Sequence, residues 1–148
     1  NLANNLIDKL FETISTVSFE DNKIAGRHND FASHNIIVGA EGIRILDFSM
    51  FDYGSTFFDV CNFWLELEML RNDPTYSDKF ISTLQQIFLD SYGEISLTHP
   101  LFESVKCRYV LNRLLTALNY PANGIFTSLD RRRIVKFCYK WLVNFTTR

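Results

Sequence analysis

The chain has 148 residues, of which 47% are hydrophobic and 22% are charged, a composition typical of one globular domain rather than a disordered segment. The formal net charge of −2 gives no overall positive field that would favour nucleic acid or an anionic membrane. No apolar run approaches the roughly 18 residues of a membrane span, and no signal-peptide pattern begins the chain. These features predict a cytoplasmic protein with no nucleic acid and no membrane among its partners.

The three cysteines are odd in number, far apart and surrounded by apolar residues: Cys61, Cys107 and Cys138. This arrangement fits neither a disulfide framework nor a zinc site. We therefore expect three reduced thiols that are mostly buried.

Apolar residues at helical spacing predict an amphipathic helix that ends near Ser15. Residues 15–29 lose this period and are predicted to form a connection. Two short apolar runs, 36–38 and 43–46, then flank the segment Gly39–Gly42. This pattern predicts a β-hairpin closed by a four-residue turn.

A second helix is predicted after a loop that contains Gly54. Ser55 or Thr56 is expected to cap this helix, which runs to about Leu70. Its apolar residues cover nearly the whole circumference, so most of its surface is expected to be buried.

Three more helices are predicted in the rest of the chain. One ends at Gly93, one follows Pro100, and the last is capped by Ser128 after a loop at 119–124. The sequence has no internal repeat, low-complexity tract or linker, so residues 1–148 are expected to form one domain. The predicted fold class is α+β, mostly α, with one β-hairpin.

Polar side chains gather around the predicted hairpin. His28, Asp30 and Asn35 precede its first strand, and Asp47 directly follows its second. Counting outward from the turn places Asn35 opposite Leu46, beside Asp47, at a cross-strand distance of about 4.5–5.5 Å. Such an oxygen-rich cluster suits a hard cation such as Mg²⁺ better than zinc.

These residues resemble the signature of the aminoglycoside phosphotransferase and choline kinase superfamily, whose enzymes share the protein-kinase fold. The signature is spread over four short segments: His28-Asn29-Asp30 through Asn35, Ile45-Leu46-Asp47, Gly54 and Phe58-Asp59-Val60. It covers about residues 27–64, and the helices on both sides match the helical lobe of that fold. The resemblance implies that the chain is the helical C-terminal lobe of a protein-kinase-like fold.

The resemblance also implies a role for each residue of the signature. Asp30 would accept or orient the proton of the substrate hydroxyl, while Asn35 and Asp47 would hold Mg²⁺ that bridges the phosphates of ATP. His28 would support the metal loop, and Asp59 would accept hydrogen bonds from backbone amides of the catalytic loop. Mg²⁺ is thus the implied cofactor, and ATP the phosphoryl donor.

A hydroxyl group of a small molecule is the implied acceptor. Protein kinases usually have Lys two residues after the catalytic Asp, whereas this chain has Ala32. Asn29 replaces the Gly common in aminoglycoside phosphotransferases, and His-Asn-Asp is the form seen in choline kinases. The acceptor candidates are, in order, a choline-like amino-alcohol, an aminoglycoside or sugar, and a protein hydroxyl.

The acceptor pocket is implied to lie among the helices after Asp59. Trp64 is a candidate contact for a quaternary ammonium group through a cation–π interaction, although its helical position also fits a place in the core. Seven acids are available in this region, and the sequence does not decide which of them face the pocket: Glu66, Glu68, Asp73, Asp78, Asp90, Glu94 and Glu103.

Three further polar features each have two interpretations. His34 either contacts phosphate or is an exposed loop residue, and Asp52 is either a second metal ligand or a solvated loop residue. The run Arg131–Arg133 either binds an anionic partner or forms a solvated helix face. The second interpretation is favoured in each case.

Kinases also need a glycine-rich loop over the phosphates and a strand Lys paired with a helix Glu. Only one predicted helix precedes Asp30, and all six glycines lie at or after Gly26. The resemblance therefore implies that an N-terminal lobe of the same protein is a partner, and that this chain alone is a poor catalyst. The alternative function is a non-catalytic pseudokinase lobe that acts as a protein-interaction module.

Overall fold

Residues 2–18, 24–93, 97–119 and 125–147 are described by the structure, a computed structural model. Five helices and four short strands lie in these residues: α1 (Leu2–Ser15), β1 (Ile24–Arg27), β2 (Ile36–Gly39), β3 (Gly42–Ile45), β4 (Asp52–Ser55), α2 (Phe57–Met69), α3 (Asp78–Tyr92), α4 (Pro100–Asn119) and α5 (Ile125–Thr146). The fold is therefore α+β and mostly α, as predicted. Within these ranges, no helix is both long enough and apolar enough to cross a membrane.

The helices bury two apolar clusters that adjoin at α2 and α4. One cluster contains residues of α1, α2, α4 and α5: Leu6, Leu65, Cys107, Val110, Cys138, Leu142 and Phe145. The other contains residues of α2 and α4: Phe57, Val60, Cys61, Phe102 and Val105. All three cysteines are free and buried, which confirms the prediction for the thiols.

Most predicted helix ends agree with the structure. α1 ends at Ser15, and α3 ends at Tyr92, followed by Gly93 with a φ of 120°, a conformation that favours glycine. α4 begins at Pro100 itself, because a proline in the first turn loses no helical hydrogen bond.

The structure contradicts one predicted helix cap and decides between the two alternatives for another. The prediction that Ser128 caps the last helix is wrong, since α5 already begins at Ile125 and nothing between the two positions interrupts a helix. At the start of α2 the side chain of Thr56 makes no capping hydrogen bond, whereas the Ser55 hydroxyl accepts one from the Phe57 N–H at 3.4 Å. The loop predicted at 119–124 falls, apart from Asn119, outside the described residues.

Strands β2 and β3 form the predicted hairpin. They are antiparallel, with Ile36 opposite Ile45 and Gly39 opposite Gly42, and Gly42 has a φ of 112° at the tight turn. The Leu46 N–H donates to the Asn35 carbonyl at 2.8 Å and so continues the ladder by one pair. The predicted register, which places Asn35 opposite Leu46, is therefore confirmed.

A second two-stranded sheet, β1 with β4, was not predicted. β1 lies in the expected connection at 15–29, and β4 contains the expected loop at Gly54, so the hairpin is not the only sheet in the described chain. Gly54 has a physical reason to be glycine, because a Cβ there would lie 2.6 Å from the Nε and Cζ atoms of Arg27. Arg27 crosses the sheet at this point and pairs with Asp52.

Candidate active site

His28, Asp30 and Asn35 lie in the segment between β1 and β2, named here the 28–35 loop. Three polar side chains of α2 bind its backbone: Asp59, Asn62 and Glu66. We name them the polar stripe of α2, because their spacing of three and four residues places them on one face of the helix.

Asp59 binds the beginning of the 28–35 loop. Its carboxylate accepts hydrogen bonds from the N–H of His28 at 2.6 Å and of Asn29 at 2.9 Å. Asp59 also lies in the first turn of α2, where the helix dipole favours a negative charge. The negative charge of Asp59 is thereby compensated by two backbone N–H groups and by the helix dipole.

Asn62 and Glu66 bind the rest of the 28–35 loop. The Asn62 amide donates to the Phe31 carbonyl at 3.2 Å. The Glu66 carboxylate accepts from the N–H of Ser33 at 3.0 Å and from its hydroxyl at 3.2 Å, while its other oxygen binds Arg113 of α4. Successive residues of the loop are thus held by successive turns of one helix.

Asn29 has a left-handed backbone conformation, with a φ of 66°. Asn adopts this conformation more readily than most residues other than Gly, which explains why it is tolerated at this position. Its side chain donates to the Met50 carbonyl and to Asp52, both at 2.8 Å. The turn before Asp30 is therefore fixed from both sides.

Asp30 is held by Asn35 and is partly open to solvent. The Asn35 amide donates to the Asp30 carbonyl at 2.9 Å and to the Asp30 Oδ2 at 3.1 Å. The Nε2 of His34 lies 3.4 Å from the same carboxylate oxygen, while the His34 side chain is itself exposed, as favoured from the sequence. The Asp30 side chain remains 47% exposed, so its carboxylate is accessible from solvent.

The oxygen ligands predicted for Mg²⁺ are Asn35 and Asp47. Asn35 is only 6% exposed, and within the described part of the chain its amide oxygen accepts no hydrogen bond. Asp47 follows the residue opposite Asn35 and has a left-handed backbone with a φ of 55°. Hydrogen bonding from the hydroxyl and the N–H of Ser49 lowers the pKa of the Asp47 carboxyl below its usual range.

These two residues have the donor chemistry that Mg²⁺ prefers. A buried amide oxygen without a hydrogen-bond donor and an ionised carboxylate are hard ligands. No group of three or more His, Cys, Asp or Glu side chains suited to a metal occurs among the described residues. Mg²⁺ does not need one, since it is usually held by one or two carboxylates together with substrate phosphates and water.

His28 connects the 28–35 loop to the end of β3. Its Nε2 lies 2.7 Å from the Leu46 carbonyl, and its Nδ1 accepts the N–H of Asp30 at 3.3 Å. The Nε2 therefore carries the proton of the neutral ring in this arrangement. The ring is buried and packs on Phe48, and it joins the 28–35 loop to the residue that precedes Asp47.

The structure gives Asp52 a third role, which differs from both sequence interpretations. Asp52 begins β4 rather than lying in a loop, and its carboxylate accepts hydrogen bonds from Arg27 and Asn29. Both of its oxygens accept hydrogen bonds, so Asp52 joins β1 and the 28–35 loop to β4. The Arg27 guanidinium holds the pKa of this carboxyl below its usual range.

A cleft of about 370 Å³ opens beside the 28–35 loop, between α2, α4 and α5. It is lined by Ser33 of the loop and by apolar side chains of α2 and α5, including Phe63, Leu67 and Ile134. Two of the seven candidate acids, Glu66 and Asp73, line it as well.

The other candidate acids that the structure describes have different surroundings. Glu68 and Asp78 bind Arg71, Glu103 binds Lys106, and Asp90 accepts a hydrogen bond from Gln86: four acids with partners away from the loop. Glu94 lies outside the described residues.

Trp64 occupies the core position that its helical spacing allowed. It packs against both apolar clusters and does not line the cleft, whereas the neighbouring Phe63 does. The Nζ of Lys106 lies 5.3 Å from the Trp64 ring centroid and 5.2 Å from that of Phe102. The protein thus supplies its own cation to this ring.

Three charged residues of the cleft were not singled out as pocket residues from the sequence: Arg113, Asp130 and Arg133. Arg133 belongs to the basic run and lies 3.8 Å from Asp130, while Arg131 donates to the Leu118 carbonyl. Their positions depend on how α4 and α5 pack against α2, and no local pattern in the sequence reports that packing.

Comparison of the chain with protein-family models, with curated proteins and with solved structures finds no match. The functional interpretation therefore depends on the side chains of the 28–35 loop, the hairpin end and the cleft. Their arrangement combines a held but accessible carboxylate with two hard oxygen ligands and an adjoining cavity.

Proposed function

We propose that this chain is the helical lobe of an ATP- and Mg²⁺-dependent phosphotransferase, which transfers the γ-phosphoryl group to a hydroxyl of a small molecule. The observation that carries the proposal is the arrangement of Asp30, Asn35 and Asp47 at the open end of one hairpin. The amide nitrogen of Asn35 donates to the carbonyl and the carboxylate of Asp30. The amide oxygen of Asn35 accepts no hydrogen bond within the described chain.

Asp30 acts on the acceptor hydroxyl. Asn35 holds one carboxylate oxygen of Asp30, so the other is left to accept the hydroxyl hydrogen and to orient the attacking oxygen. Positioning of this kind supplies much of the catalysis in phosphoryl transfer, because the transition state demands little covalent chemistry from the protein.

Asn35 and Asp47 are the residues that would hold Mg²⁺, which when bound neutralises charge on the phosphates of ATP. The Asp47 carboxylate is ionised at neutral pH, as an aspartate with an ordinary pKa also is, and the hydrogen bonds from Ser49 lower its pKa further. The left-handed backbone at Asp47 is an uncommon conformation for a residue other than glycine, and such conformations cluster at functional sites.

The cleft beside Ser33 is the proposed acceptor site. Its mixture of apolar side chains with both carboxylates and guanidinium groups suits a compact amino-alcohol better than a polycation, for which several unpaired acids would be needed. The order of acceptors therefore stays a choline-like amino-alcohol, then an aminoglycoside or sugar. We expect the activity in the cytoplasm, where ATP is available, and in the presence of an N-terminal nucleotide-binding lobe.

The test is ATP consumption by the complete protein that contains these residues, with choline-like, aminoglycoside and sugar acceptors. Asp30→Asn is expected to lower turnover by about 10²–10⁴-fold while nucleotide affinity stays nearly unchanged. Asp47→Ala is expected to lose Mg²⁺-dependent nucleotide binding. Asp90→Asn, the same kind of substitution on the exposed surface of α3, serves as the control and should behave like the parent.

Turnover of ATP at the parental rate by both Asp30→Asn and Asp47→Ala would show that the site is wrongly assigned. A parent protein that binds no nucleotide and phosphorylates no acceptor would instead favour the non-catalytic interaction module.

A further inference from the structure

Glu66 joins the 28–35 loop to the proposed acceptor cleft through a single carboxylate. One oxygen accepts both hydrogen bonds from Ser33, and the other binds Arg113. The Glu66 side chain is 14% exposed, so this pairing is mostly shielded from water. All three residues line the cleft, and Asp59 and Asn62, the other residues of the polar stripe, do not.

Ser33, which donates two hydrogen bonds to Glu66, is connected to Asp30 through a short segment of chain. Ser33 begins a 3-10 turn that ends at Asn35, and Asn35 donates to the Asp30 carboxylate. The hairpin ladder fixes the Asn35 end of the turn, while Glu66 fixes the Ser33 end. Release of Ser33 would therefore free one of the two supports that set the direction of the Asn35 amide.

We propose that Glu66 is a positioning residue for phosphoryl transfer, which aligns an acceptor in the cleft with Asp30 by holding Ser33 and Arg113 together. This inference rests on the proposed function, since it concerns the same reaction. In that reaction the bond between the γ-phosphorus and the bridging oxygen of ADP breaks, and a new P–O bond forms to the acceptor hydroxyl. The hydroxyl proton leaves toward Asp30.

Water is the competing acceptor for the same phosphoryl group and yields ADP and inorganic phosphate. Water needs no alignment by the cleft, whereas a bound hydroxyl compound does. Loss of a positioning residue therefore lowers transfer to the acceptor more than it lowers hydrolysis of ATP. A residue that only stabilises the fold changes both rates together.

The test compares Glu66→Gln with Glu68→Gln in the complete protein. Glu68 lies two residues further along α2, its side chain is 25% exposed, and its carboxylate binds Arg71 and Gln85, both at 2.9 Å. Glu68→Gln thus removes a carboxylate of similar burial from the same helix. The residues that bind Glu68 belong to neither the 28–35 loop nor the cleft.

Glu66→Gln is expected to lower kcat for the acceptor by about 10–100-fold, since small misplacements of reacting groups can cost that much. The KM for ATP is expected to stay within about twofold of the parent, and the ratio of ATP hydrolysis to acceptor phosphorylation should rise. Hydrogen exchange at the Ser33 amide should become moderately faster, because the glutamine amide keeps one oxygen that can accept from Ser33 but offers no acceptor to Arg113 at the same time. Glu68→Gln should leave both the ratio and the Ser33 exchange at parental values.

An equal change in the ratio for both variants, or a proportional fall of hydrolysis and transfer in Glu66→Gln, would overturn the inference. If Glu66→Gln does not fold, Ser33→Ala serves as a second variant, because it removes only the hydroxyl contact to Glu66. Ser33→Ala should raise the ratio of ATP hydrolysis to acceptor phosphorylation by a smaller factor. An unchanged ratio in Ser33→Ala would also overturn the inference. Parental activity in Asp30→Asn would contradict the proposed function instead, so the two failures are distinguishable.

Discussion

One face of α2 is buried in the apolar core through Val60, Cys61 and Leu65, whereas another holds the 28–35 loop through the polar stripe. The apolar face makes many interchangeable contacts without fixed direction. The polar stripe makes four backbone contacts and one hydroxyl contact, each with a defined donor and acceptor. The apolar face therefore contributes packing alone, whereas the polar stripe both stabilises the protein and sets the geometry of the loop, so substitutions on the two faces should affect the loop differently.

The largest expected effect is at Asp59, on the polar side. Asp59→Ala leaves the N–H groups of His28 and Asn29 without their acceptor, at a cost of about 1–3 kcal/mol for each that stays unsatisfied. Urea unfolding followed by circular dichroism measures the loss. Asp59→Asn keeps one acceptor oxygen and should retain part of the stability; equal losses for the two variants would contradict the contact pattern described here.

A smaller effect is expected on the apolar side. Val60 is fully buried, and Val60→Ala should lower the free energy of unfolding by about 2 kcal/mol through lost packing. Hydrogen exchange at the His28 and Asn29 amides, measured under conditions where the protein stays folded, should remain at parental rates. Faster exchange at those two amides alone would mean that the two faces of α2 are not independent.

The smallest effect is expected at the pair of Arg27 and Asp52, which supports the loop from the sheet and in which the Asp52 side chain is half exposed. Because Arg27 lowers the pKa of Asp52 in the folded state, the pair stabilises the protein above the unfolded pKa of about 3.9, and this contribution disappears as pH falls through the lowered value. Asp52→Asn should therefore lower the thermal midpoint by about 1–3 °C at pH 7 and by less at pH 3. A difference that grows in acid would contradict this sign.

The parts of the fold that the sequence predicted are those with local causes. The hairpin register follows from the glycines at both ends of one short turn, and α3 ends where Gly93 can adopt a positive φ. The β1–β4 sheet joins Ile24 to Ser55 across the whole 28–35 loop, and its strands contain Gly and charge instead of an alternating pattern. Such non-local pairing leaves little trace in a single sequence.

The candidate site divides in the same way. Asp30, Asn35 and Asp47 were predicted because they flank a local hairpin, and the register that brings the last two together is confirmed. The position of Glu66 against Ser33 was not predicted, because seven acids after Asp59 were equal candidates for the acceptor pocket. Only the packing of α4, which brings Arg113 to Glu66, distinguishes Glu66 from the others. Likewise, Lys106 reaches the Trp64 ring from a different helix.

The buried cysteines have a consequence for chemical ageing. Burial raises the pKa of the Cys61 thiol, raises that of Cys107 to about 12, and raises that of Cys138 to about 11, so little thiolate exists at neutral pH. Oxidants and alkylating agents act on thiolates that they can reach. Oxidation or alkylation of these thiols therefore requires local or global unfolding of the helices. The extent of modification consequently reports how often the helices unfold.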